Sequence, residues 1–183
     1  MKVLKTLAWI LGIILFIAIA FIFFAPTSIH VERSIEINAP ASVVWEDLVK
    51  FEKFNEWSAW KQVDPSASYT ITGDDGAIGS TDAWKGKKIG EGRLQHLSLD
   101  PYHSVIQKLT LVKPLEAEAD VSFHLTETDG KTKVVWRFDT RYGRPMNVLT
   151  LFVKGGVLER DFDEGLKNLK VMAETENEAA GKK

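Results

Sequence analysis

Apolar positions along this chain change their period more than once. From Leu7 to Ala25 no side chain is charged or strongly polar. As a helix rising about 1.5 Å per residue, this segment spans roughly 28 Å, close to the hydrocarbon core of a bilayer. A buried core helix would keep a polar face, and this segment has none. Pro26-Thr27-Ser28 ends it. From Ile29 to Ile37 the period falls toward two, imperfectly, with Ile29, Val31 and Arg33 opposed to His30, Glu32 and Ser34, which predicts a first strand. Asn38 to Ser42 reads as a turn that launches a helix, with Pro40 in its first turn and Val44, Leu48 and Phe51 at helical spacing. That helix is expected to end near Phe54-Asn55. A second short helix follows through Trp57 and Trp60, whose separation puts them on one face.

Between Tyr69 and Tyr142, turn signals at Gly73 to Gly76, Lys85 to Lys88, Asp100-Pro101, Lys113-Pro114 and Asp129-Gly130 divide the chain into short strands. Such close links predict an antiparallel meander. Its last strand alternates most cleanly, with Val134, Trp136, Phe138 and Tyr142 on one side and Lys133, Arg137, Asp139 and Arg141 on the other. The strand before it agrees, setting Ala119, Val121, Phe123 and Leu125 against Glu118, Asp120, Ser122 and His124. A sheet with one apolar face needs a cover. Leu158, Phe162, Leu166, Leu169 and Met172 recur at three- and four-residue steps and supply a carboxy-terminal covering helix. Gly155-Gly156 before it is either a hinge for a lid over residues 145–153 or an ordinary break between two helices. The polar stretch from Glu174 reads as a disordered tail.

The 183 residues, 45% of them hydrophobic, suffice for one domain with a core plus a short appendage. The division expected is an anchor at 1–28, a globular domain at 29–176 and a tail at 177–183. With 23 basic and 25 acidic residues the chain has no excess of positive charge for nucleic acid. The absence of cysteine removes disulfides, thiolate nucleophiles and cysteine-bound metals. Lys2 and Lys5 precede the apolar segment and the next Lys or Arg is Arg33. The positive-inside rule therefore puts the amino terminus in the cytoplasm and the domain on the far side of the membrane. Cleavage as a signal peptide at Ala18-Ile19-Ala20 is the rival, but it would leave Phe-Ile-Phe-Phe at the new terminus.

The stretch Ile78 to Arg93, IGSTDAWKGKKIGEGR, flanks a tryptophan with glycine-spaced segments and looks like a β-hairpin. Together with Trp57-Ser58-Ala59-Trp60, Asp64-Pro65, Phe162 and Gly165-Leu166-Lys167-Asn168-Leu169-Lys170, it resembles the START-like (SRPBCC) superfamily, in its polyketide cyclase-like branch. The resemblance covers roughly 31–174. It implies an α+β helix-grip fold, a curved antiparallel sheet wrapped on a long carboxy-terminal helix around an apolar cavity. It carries no shared catalytic motif.

No nucleophile elbow, zinc-protease helix, P-loop or dinucleotide loop is present, and the spacing of His30, His96, His103 and His124 does not suggest a metal site. No cofactor is expected. Gly90-Glu91-Gly92 is too short for a phosphate loop and fits a bulge or close approach in a curved sheet. By alternation with Trp84, Asp82 faces inward; His96 shares register with Leu94, and Gln107 with Val105 and Leu109. One reading pairs Asp82 and His96 as acid and base on a carbonyl compound; the other leaves them solvated or bonded to backbone at the rim. The aromatic residues Trp57, Trp60, Trp84, Phe123, Trp136, Phe138 and Phe152 are core by their spacing, or cavity lining if the resemblance holds.

Three functions follow: an anchored domain binding a small hydrophobic or lipid-like ligand, a cyclase- or dehydrase-type enzyme using inward polar groups, or a non-enzymatic envelope interaction module whose interior is filled.

Overall fold

The computed structural model describes residues 2–150 and 156–181. The apolar segment is one helix, α1 (Lys2–Phe24), and none of its Lys5–Phe24 span is buried against the rest of the chain. With a mean hydropathy of 3.0 it has the length and composition of a membrane span or of a signal sequence.

After α1 comes β1 (Ser28–Ile37), then three short helices, α2 (Ala41–Val49), α3 (Phe51–Trp57) and α4 (Ala59–Val63). Six further strands follow: β2 (Ser68–Thr72), β3 (Thr81–Lys85), β4 (Glu91–Asp100), β5 (Ser104–Lys113), β6 (Ala117–Thr128) and β7 (Lys131–Arg141). A 3-10 turn at Met146–Leu149 precedes the long α5 (Val157–Ala180). The sheet is wholly antiparallel with order β1-β7-β6-β5-β4-β3-β2, so the meander is closed on one side by the first strand lying beside the last.

The sequence expectation of a helix running to Phe54-Asn55 needs correcting, because the chain breaks at Lys50, which is extended. Asp75, from the loop between β2 and β3, accepts from the backbone N–H groups of Phe51 and Glu52 and so caps a new helix there. A second break at Ser58 puts Trp57 and Trp60 on different helices. Residues 177–180, expected in a tail, are the last turn of α5, and Asn177 Nδ2 donates to Asn38 O.

Curvature comes from β4. Its register with β5 shifts between Glu91 and Gly92 and again between His96 and Ser98. Gly92 lies opposite Trp84, and a Cβ there would fall 2.5 Å from the indole, so glycine lets the ring lie across the strand. Buried Phe162, Gly165, Leu166, Leu169 and Ala173 form the stripe by which α5 grips the concave face. Gly165 brings its backbone against Trp57 and Trp136, and Asn168 Nδ2 donates to Trp57 O at the end of α3.

Candidate functional site

Between α5 and the sheet lies a cavity of about 260 Å³. One row of paired residues crosses the sheet beneath it, running from Asp82 through Leu94, Leu109, Ala119 and Thr140 to Ile29. Trp84, Leu111, Val121, Trp136 and Phe138 widen the floor; Phe54, Asn55, Ser58 and Trp60 form one wall, and Leu158 and Phe162 of α5 the other. Tyr69, Ile89 and Tyr142 complete the lining.

Five of the residues singled out by pattern, Trp60, Asp82, Trp84, Trp136 and Phe138, come together here. Trp57 and Phe123 do not line the space: both are buried and meet Trp136 at ring-centroid distances of 5.6 and 5.0 Å. Phe152 lies outside the described residues, as do 151 and 153 of the expected lid, whose earlier part is the 3-10 turn at Met146–Leu149. Asn55, Ser58, Tyr69, Thr140 and Tyr142 were not foreseen as lining. Thr140 and Tyr142 share the strand parity of Trp136 and Phe138, a signal that was available; Asn55 and Ser58 depend on how the helices break.

Asp82 is 2% exposed. Its Oδ2 accepts from Nδ2 of Asn55 at 2.9 Å, while Oδ1 is buried without a protein partner. Burial pushes the carboxyl up to about 6; the Asn55 hydrogen bond opposes the rise and the charge of Asp75 adds to it. His96 and Gln107, equally buried, pair with each other in the neighbouring row. The imidazole stacks on Phe51 at 4.3 Å, Nε2 donates to Val49 O at 2.8 Å, and Gln107 Nε2 donates to Nδ1 at 3.3 Å. Burial holds its pKa below the ordinary histidine value, the bond to Val49 acting in the opposite sense. Both ring nitrogens are engaged and the ring is off the cavity, so Asp82 and His96 are not joined as an acid-base pair. Alternation placed all three polar residues on the buried face, but the α2–α3 junction covers two of them.

The chain between α1 and the cavity is short and well tied. Asn147 Nδ2 donates to Ile22 O and Ala25 O at 2.8 and 2.9 Å, and Thr150 Oγ1 donates to Pro26 O. Arg144 reaches the carbonyls of Ile22 and Phe23, with its guanidinium 5.4 Å from the Phe23 ring. These groups satisfy carbonyls at the end of α1 that helix geometry leaves open. Tyr142 N donates to Thr27 O, and Tyr142 and Ile29 both line the cavity.

The family model for polyketide cyclase/dehydrase and lipid transport matches residues 28–174. The chain belongs to that family. No curated protein matches it in sequence. Among solved structures, norcoclaurine synthase from Thalictrum flavum, in complex with dopamine and hydroxybenzaldehyde, superposes with a TM-score of 0.59 at 13% identity, covering 79% of this chain and 86% of that one. Ara h 8.0201 gives 0.56 at 11% identity, covering 80% and 97%. Protein CV1439 from Chromobacterium violaceum gives 0.56 at 13% identity, covering 81% and 98%. At these identities the likeness is one of fold. Within the family fold, several residues that carried the sequence resemblance are structural: Gly165 and Asn168 dock α5, and Asp64 accepts from Lys88 N and Ser66 Oγ to fasten the β3–β4 loop.

Proposed function

We propose that this family member is a membrane-tethered domain that takes up one small hydrophobic molecule. The cavity carries the reading: apolar and aromatic side chains from both sheet and helices surround it, with few polar groups among them. Its volume is about 260 Å³. That suits a single ring system or a short chain; a two-chain lipid would leave most of itself outside. Tethering through α1, with Lys2 and Lys5 cytoplasmic, puts the cavity within a few residues of the bilayer on its opposite side, where hydrophobic molecules concentrate.

The test is native mass spectrometry of the full-length chain released from nanodiscs made with its host's own lipids. A discrete small bound mass, lost in a Val121→Trp variant that fills the floor, is expected. Repeated absence of any bound mass would count against the reading. A reporter fused after Lys183 that is active only in the cytoplasm would overturn the orientation.

A cyclase- or dehydrase-type reaction is the second reading, favoured by one observation. A carboxyl raised to about 6 within an apolar site is poised to give or take a proton near neutral pH. His96, committed elsewhere, would not assist it. An interaction module with a filled interior fits less well, since the interior holds a cavity.

A further inference from the structure

We propose that the molecule held in the cavity is an alcohol, phenol or amine, and that Asp82 Oδ1 receives its donated hydrogen. The proposal rests on the reading of the cavity as a small-molecule site and says which chemistry that site selects.

The polar lining is small, and beside the hydroxyls of Tyr69 and Tyr142 three of its groups are already engaged. Thr140 Oγ1 donates to Glu118 O at 2.6 Å, and Ser58 Oγ accepts from Trp60 N. Asn55 spends its amide on Oδ2 of Asp82. Among the described lining residues, two buried polar atoms have no protein partner, Asp82 Oδ1 and Trp136 Nε1. A carboxylate oxygen at 2% exposure among tryptophan and leucine side chains is expensive to bury bare. The fold does not relieve that cost. Asn55, fixed on α3, holds the carboxyl by one oxygen and leaves the other open. Among the described residues, no lysine, arginine or histidine lines the cavity to neutralise the charge. An incoming hydroxyl or amine supplies the missing hydrogen, whereas an incoming carboxylate sets two negative charges together in an apolar space. The site therefore accepts neutral or cationic donors and rejects acids, including free fatty acids, by repulsion as well as by lack of a partner.

The probes are 1-naphthol, 1-methylnaphthalene and 1-naphthoate, which share a ring system and differ in one substituent. Binding to the full-length chain in nanodiscs is measured by calorimetry at pH 8 against empty nanodiscs. The wild-type chain should bind 1-naphthol at least tenfold more tightly than 1-methylnaphthalene and bind 1-naphthoate most weakly. Asp82→Leu should abolish the preference for 1-naphthol while holding 1-methylnaphthalene at least as tightly, which also shows that the cavity persists. Equal wild-type affinity for 1-naphthol and 1-methylnaphthalene, a preference that survives Asp82→Leu, or a preference for 1-naphthoate overturns the proposal and leaves the small-molecule reading standing. If the variant does not fold, the wild-type ranking still decides. If no probe binds the wild-type chain, the small-molecule reading fails and this proposal fails with it.

Discussion

The indole of Trp136 and the ring of Phe162 lie face to face, with centroids 3.9 Å apart and planes 8° from parallel. One belongs to the last strand and the other to the gripping helix, so the pair joins the two halves of the domain at the cavity's edge. Trp57 and Trp60 present edges to the same indole, and Gly165 leaves room for it beneath the helix.

Removing one half of that pair should loosen the grip. Phe162→Ala is expected to cost about 3–5 kcal/mol, because Phe162 is fully buried and little around it can collapse into the space. Phe162→Leu should cost clearly less. Urea unfolding followed by tryptophan fluorescence measures both, and equal losses would show that the stacked ring geometry, not the volume filled, carries the contribution.

Asp82 should make stability depend on pH in a definite sense. Its folded pKa of about 6 lies above its unfolded value near 3.8, so the folded state binds the proton more tightly. Stability then falls as pH rises from about 4 to about 6 and levels off above that. Asp82→Asn, neutral throughout, should be more stable than wild type by up to about 3 kcal/mol at pH 8 and by little at pH 4. Asp47, buried and also raised to about 6 despite Lys53 at 2.7 Å, adds the same trend to both proteins and drops out of the comparison. Thermal unfolding at the two pH values is the measurement; a gap that does not change with pH contradicts the expectation.

Gly92 is required by contact. A methyl group there would sit 2.5 Å from Trp84 and 2.9 Å from Thr110 O, so Gly92→Ala should destabilise by about 1–3 kcal/mol and displace Trp84 from the cavity floor. At Gly143 a Cβ would meet nothing within 4 Å, and alanine there should be near neutral. Paired unfolding curves test the contrast.

Asn147 ties α1 to the domain. Asn147→Ala removes two hydrogen bonds to helix-end carbonyls, so residues 22–27 should exchange amide hydrogens faster while the sheet keeps its protection. Hydrogen exchange with mass spectrometry reads this directly. Unchanged exchange at 22–27 would mean that Arg144 and Thr150 hold the joint without it.

The alternation of β6 and β7, the stripe of α5 and the unbroken apolar run of α1 were legible because each is periodic within a few turns of chain. The break at Lys50 was not, since the carboxylate of Asp75 that caps α3 comes from a distant loop. The same holds for His96. Its inward face followed from strand parity, yet only the position of Val49 and Phe51 turned it from a cavity group into a satisfied core residue.

Read alone, the chain determined its element types, the buried face of each strand and an apolar leader, which follow from local periodicity, while the helix-grip architecture was implied by its resemblance to a known superfamily. Tertiary structure decided which inward side chains pack solid and which border open space, because that depends on how far α5 and the α2–α4 segment stand from a bent sheet. It also left Asp82 with one oxygen held and one free, a matter of where a helix asparagine meets a strand carboxylate.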